Sequence, residues 1–225
     1  HLRSLHGTGQ GDGSRGRIGI PFGLNMYENL PFWFELFTRL NFQVVLSPES
    51  SRKLYLKGQR TIPSDTVCYP AKLLHGHVEA LVEAGVDSIF YPCMPYNFDE
   101  GKSDNNYNCP VVAYYPELLA ANVPDLKKVR YFNPYFGLHR PRDFAKRAEA
   151  WFAEQFQIPK RETAAAVKAA YAAYDDYKND LRAKAQEFIA QARKEERPIL
   201  IVAGRPYHMD PEINHGINDL ITGFG

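Results

Sequence analysis

The stretch "SDTVCYPAKLLHGHV", residues 64–78, places a cysteine between a polar loop and an apolar helix that begins at a proline. The chain has three cysteines, and each has a proline beside it or two residues away: Cys68-Tyr69-Pro70, Pro92-Cys93 and Cys109-Pro110. Thiols in such loops have three uses: ligation, redox or nucleophilic chemistry, or plain burial, which is common for free cysteine. Cys68 precedes a helix whose free N–H groups and positive dipole end favour an anion such as a thiolate. Cys93 follows the apolar strand "SIFYP", and Cys109 precedes "VVAYY". In a parallel sheet, residues that follow strands gather at the C-terminal edge, where open α/β sites form. The loop over 93–109 is long enough to bring Cys109 back over that edge, so the three sulfurs are expected to converge there.

Two metal chemistries suit three thiols. Zinc wants four ligands, often with a C-x₂₋₄-C knuckle that this chain lacks, so a Cys₃His set would need His75 or His77. An iron–sulfur cluster is served by thiolates, and a missing fourth ligand leaves one iron position open. Around these cysteines, Lys72, His75 and His77 are within reach of a cluster sulfur or a substrate carbonyl, although packing at the core edge is their commoner use. Ser64, Asp65 and Thr66 read as loop and cap residues. Tyr91 and Tyr96 flank Cys93 as core filling or as a screen against water. In "GRPYHMDPEINHG", Gly204 suits a tight turn, Arg205 and His208 could meet an anionic ligand, and Asp210 and His215 are further candidates.

These residues need elements to position them. Strands are expected near 17–22, 42–47, 86–92, 110–115, 128–135 and 198–203. The segments between the first of them read as helices: "ENLPFWFELFTRLN", "SSRKLYLKG" with a serine cap, and amphipathic "PAKLLHGHVEALVEAG" closed by Gly85. Strands alternating with helices predict an α/β fold with a mostly parallel, doubly wound sheet. An added helical segment follows, in which Val167, Tyr171, Tyr174, Leu181, Ala185, Phe188 and Ala192 form one packing seam. The domain reading is a flexible tail or linker over 1–16, a cysteine-bearing α/β domain over 17–140, helices over 141–197, and the start of a further α/β unit over 198–225. Because "PILIVAG" and "NDLITGFG" lack partners, this last unit is expected to join the sheet edge or to leave an apolar patch.

Bulk properties narrow the partners. A net charge of +1 gives no electrostatic footprint for nucleic acid or an anionic membrane. No apolar run approaches the roughly 20 residues of a membrane span, and the N-terminus lacks a signal-peptide pattern. Three cysteines without framework spacing point to a reducing, cytoplasmic setting.

The stretches "RIGIPFGLNMYENLPFWFELFTRLNFQVVLSP", "SSRKLY", "IPSDTVCYPAKLLHGHV", "IFYPCMPY", "NCPVVAYYPE" and "GRPYHMDPEINHGINDLI" resemble the acyl-CoA dehydratase activase / 2-hydroxyglutaryl-CoA dehydratase-related proteins. More narrowly, they resemble the domain that follows the ATPase modules in large activase-like bacterial chains. The resemblance spans about residues 17–225. It implies a fold related to the dehydratase subunits, with a 4Fe–4S or larger (double-cubane) cluster held by Cys68, Cys93 and Cys109, each matched inside its own motif. It further implies an electron-transfer or reductase-type component of an ATP-dependent acyl-CoA dehydratase/reductase system. The implied partners are ATPase activase modules of the same or a partner chain, and an acyl-CoA substrate. No phosphate-cradling glycine loop follows a strand in this stretch, so the ATPase signature itself is missing from it. The alternative from the residues alone is a non-catalytic zinc module of the Cys₃His kind, serving regulation or scaffolding.

Overall fold

A computed structural model describes residues 11–224 of the chain. Four parallel strands, β1 (Arg17–Ile20), β2 (Gln43–Leu46), β3 (Ser88–Phe90) and β4 (Arg130–Phe132), form one sheet in the order β2-β1-β3-β4. The expected α/β fold with a parallel sheet is present. The helices are α1 (Met26–Arg39), α2 (Arg52–Gly58), α3 (Tyr69–Glu83), α4 (Pro110–Asn122), α5 (Pro141–Phe156), α6 (Lys160–Lys194), α7 (Pro211–Asn214) and α8 (Ile217–Gly223). Residues 1–10 of the expected tail lie outside the described residues, but Arg15 is docked, with Nη2 donating to Glu162 Oε2 at 3.0 Å.

The strand order changes direction at β1. The chain runs outward through α1 to β2, then back across β1 through α2 and α3 to β3. Right-handed crossovers therefore put α1 on one face and α3 and α4 on the other. On the α1 face an aromatic layer fills the core. Trp33 packs on Phe90 at 4.8 Å between ring centroids, Phe37 on Phe90 at 4.9 Å, and Phe32 on Phe144 of α5 at 5.3 Å. Helix α5 and the first half of α6 belong to this same core through buried Phe144, Phe152, Ala166, Val167 and Tyr174. The expected seam of α6 holds only that far. Tyr177 still packs against the core, but Leu181 and Phe188 beyond it are exposed.

Two expected strands are absent. Residues 110–115 are the start of α4, not a strand. Cys109 caps this helix, Pro110 supplies its first turn, and buried Val112, Tyr115 and Leu119 recur at helical spacing. The apolar run misled because short runs of this kind suit either element. Residues 198–203 form no strand either, and Leu200 and Ile201 are 71% and 87% exposed. A parallel strand needs a neighbour for its backbone groups, and this segment pairs with none of the four strands. The run stands as an apolar patch, one of the two outcomes expected for it.

On the other face, α2 crosses α3 at glycine. A Cβ on Gly76 would lie 2.0 Å from the carbonyl oxygen of Leu54, and one on Gly58 would lie 2.2 Å from the Gly76 nitrogen. That contact fixes how α3, and hence Cys68 at its head, meets the sheet. Gly76→Ala should therefore cost at least about 3 kcal/mol of stability, since backbone leaves no room to repack. Urea unfolding midpoints beside Leu56→Ala, a change at an exposed position of α2, test this.

Candidate functional site

The three cysteines occupy ends of elements that meet the C-terminal edge of the sheet. Helix α3 runs back into β3, so its N-terminus stands at that edge, and α4 departs from the same edge after the 93–109 loop. Cys68 is the residue before α3, and Cys109 is the residue before α4. Both have extended backbones (ψ 150° and 152°), both are followed by proline in the first turn, and both are exposed. Cys109 Sγ accepts the Val112 N–H at 3.4 Å, so a cysteine takes the role of a serine cap. Cys93 follows β3 and is fully buried. Its N–H donates to Pro134 O at 2.9 Å and its carbonyl accepts Phe136 N–H at 3.1 Å, which pins it beside Tyr135. Burial, with a smaller push from Glu117, raises its thiol to about 11. β1 and β3 are neighbours whose onward helices lie on opposite faces, so Cys93 stands at the crevice where α/β sheets bind ligands.

Tyrosines link the three positions. Tyr91 is fully buried and its hydroxyl has no hydrogen-bond partner among the described residues. Burial holds its phenol well above the ordinary range, with added repulsion from Tyr131, Cys93, Tyr115 and Cys109. Tyr115, in the first turns of α4, is raised by burial and by Cys68. Among the described residues, however, no group of three or more His, Cys, Asp or Glu side chains is gathered so as to hold a metal ion.

The histidines have other work. His75 Nδ1 and Thr61 Oγ1 are 2.8 Å apart, and His75 Nε2 and Tyr115 Oη are 3.0 Å apart. Thr61 donates its own hydrogen to Gly58 O, so it accepts from Nδ1–H, and Nε2 is left to accept from Tyr115. Burial pushes His75 down to about 4, so the ring is neutral. His77 is bonded at Nδ1 to Ser47 Oγ (2.7 Å) and at Nε2 to Ser50 Oγ (3.0 Å). Lys72 also turns away from the thiols, donating to Asp65 O at 2.7 Å. Ser64 and Thr66 bond each other in the loop, and Tyr96 packs on Tyr107 and His139.

Residues 205–215 form a strap beside the cysteines. Ser50 donates to buried Asp210, which also caps α7 by accepting the N–H groups of Glu212 (3.0 Å) and Ile213 (3.3 Å). Tyr69, next to Cys68, donates to Glu212 Oε1 at 2.7 Å, and the His215 ring stacks on Tyr69 at 6.2 Å. Burial, and then the charges of Cys109 and Cys68, raise the Tyr207 phenol, while Arg205 pulls it down. His208 is spent locally, its Nδ1 accepting the Arg205 N–H at 3.2 Å. The sequence reading named Asp210 and His215 but missed Ser47, Ser50, Tyr207 and Glu212. The Asp-Pro-Glu cap of α7 was the one local signal of order there, and nothing local marked its partner Ser50, 160 residues away.

A family model described as CoA enzyme activase uncharacterised domain matches residues 17–225, taking in the sheet, the cysteine loops, α6 and the strap. No curated protein and no solved structure matches the chain. Among the described residues no helix is long and apolar enough to cross a membrane.

Two outcomes follow from this geometry. Iodoacetamide should modify Cys68 and Cys109 at least about tenfold faster than Cys93, because Cys68 and Cys109 are exposed and Cys93 is buried with its thiol pushed up to about 11. Peptide mapping of a time course reads the order. Asp210→Ala should speed amide hydrogen exchange over 210–214 about tenfold, the scale of a lost helix cap, with the amides of β1 and β3 unchanged.

Proposed function

The chain belongs to the CoA enzyme activase domain family, and from that premise we propose an iron–sulfur electron-transfer or reductase-type component of an acyl-CoA dehydratase/reductase system. The proposed ligands are Cys68, Cys93 and Cys109. The observation that carries the proposal is the placement of three thiols at one sheet edge, two of them at helix N-termini, with both ring nitrogens of His75 and of His77 engaged elsewhere.

Among the described residues no group of three or more His, Cys, Asp or Glu is gathered to hold a metal ion, so support for the cluster comes from the family and from the thiols' places at element ends. A cluster carries its own irons and sulfides between the thiolates, so it spans ligands held farther apart. The Cys₃His alternative also lacks its fourth ligand at His75 and His77. When bound, a cluster would supply storage and delivery of low-potential electrons, with one position lacking a protein ligand. The chain's own residues do the rest. The N-termini of α3 and α4 favour negative charge on Cys68 and Cys109. Burial around Cys93 and Tyr91 keeps water from the inner side, and the strap borders the outer side. The proposed partners are ATPase activase modules in the same or another chain, with an acyl-CoA as the substrate of the system and the cytoplasm as its setting.

Anaerobic purification with iron, labile-sulfide and zinc analysis tests the proposal. Iron and sulfide should be present, and should be lost in Cys68→Ser, Cys93→Ser and Cys109→Ser. His75→Ala and His77→Ala should retain them, circular dichroism checking that each variant is folded. Stoichiometric zinc, or a folded histidine variant that loses metal as fully as Cys93→Ser, would overturn the reading.

A further inference from the structure

Beside the cysteine edge lies a cleft of about 370 Å³ that the reading above leaves without a role. Its walls come from four places: the first turn of α1, the loop 97–107, the middle of α6, and Arg205 at the head of the strap. Such a volume suits a small organic molecule.

The charges within it are unequal. Lys102, Lys178 and Arg205 line the cleft against the carboxyls of Glu28 and Glu100. Glu28 is the inner of the two. Burial raises its pKa, Arg205 opposes that rise, and its Oε1 accepts Asn97 Nδ2–H at 3.2 Å. Lys178 is paired with Asp175 Oδ1 at 2.9 Å, so Lys102 and Arg205 are the lining cations without an ion pair among the described residues. Arg205 has no ion-pair partner among the described residues, so its planar fork is open to a carboxylate. One wall is apolar: Phe98 and Tyr174 are stacked at 5.5 Å and 25°, with Lys178 Nζ over both rings. A phosphate or other bare anion would use the cations and leave this wall idle. An acid with a short apolar body uses both.

We infer that this cleft is a binding site for a small organic carboxylate, its charge on Arg205 and its body against the Phe98–Tyr174 wall. The inference stands whether or not the thiols hold a cluster. The Tyr207 phenol is influenced by Arg205 and Glu28 as well as by Cys109 and Cys68, so a ligand here would lie next to the cysteine edge.

Calorimetric titration of the full chain with benzoate and with succinate, and with inorganic phosphate for comparison, tests the site. At least one of the two acids should bind saturably. Arg205→Ala should weaken that binding about tenfold or more, the scale of a lost charge-assisted bidentate contact. Phe98→Ala should weaken benzoate more than succinate, and Lys184→Ala, remote on α6, should change nothing. Circular dichroism of each variant separates lost binding from lost folding, and Arg205→Lys, which keeps the charge without the fork, should fall between. The inference is overturned if neither acid binds saturably, if Arg205→Ala binds like the parent, or if phosphate binds as tightly as the acids. None of these readouts depends on metal, so its failure is distinguishable from failure of the cluster reading.

Discussion

The reversal of strand order at β1 is the constraint on which the other features depend. Parallel strands can be joined only by crossovers, and right-handed crossovers that set out in opposite directions must cover opposite faces. The helices leaving β1 and β3 therefore diverge, and the C-terminal edge between them stays open. Cys93 enters that opening from β3. The helices that begin at the same edge bring Cys68 and Cys109 as their caps. The aromatic layer of α1, α5 and α6 on one face, and the glycine crossing of α2 with α3 on the other, hold the sheet so that this edge is the side left for ligands.

Polar groups near this edge are costly to bury unless paired, and the chain pairs most of them in series. With Asp210 ionised, Ser50 must donate to it and so accept from His77 Nε2–H, which leaves Nδ1 to accept from Ser47. Ser47 in turn accepts the Phe22 N–H at 2.8 Å. One hydrogen-bonded line thus runs from the strap through α3 to the end of β1. It ties a segment with few buried side chains to the best-packed part of the fold. It also commits His77 to structure, as the Thr61–His75–Tyr115 line commits His75. Exceptions among the described residues are Tyr91, a buried hydroxyl without a partner beside the thiols, and Asn25 after β1, whose side-chain amide is buried and unpaired.

The same strap joins the cysteine edge and the neighbouring cleft. Tyr207 reaches toward the cysteines, Arg205 heads the neighbouring cleft, and Asp210 and Glu212 anchor the piece between them and α8. The exposed apolar run before it and the exposed faces of α8 after it bury little, so the order of the strap rests on a few specific polar contacts, not on area.

Much of this was determined by the sequence alone. The alternation of apolar strands with capped amphipathic helices dictated a parallel α/β sheet, since period and turn chemistry are local properties. The cysteines' places at element ends could be read directly, because each has a proline beside it or two residues on. What is not local had to wait for the fold. "VVAYY" suits a strand or a helix by composition, and the Cys109 cap with Pro110 made it a helix. "ILIVAG" has every mark of a buried strand, yet a strand needs a partner, and among the described residues this run pairs with none. His75 and His77 looked available as ligands until Thr61, Tyr115, Ser47 and Ser50 met them in space. Asp210 finds Ser50 across 160 residues. Hydrogen bonds of that reach leave no periodicity or spacing in a chain, so only the tertiary structure could decide them.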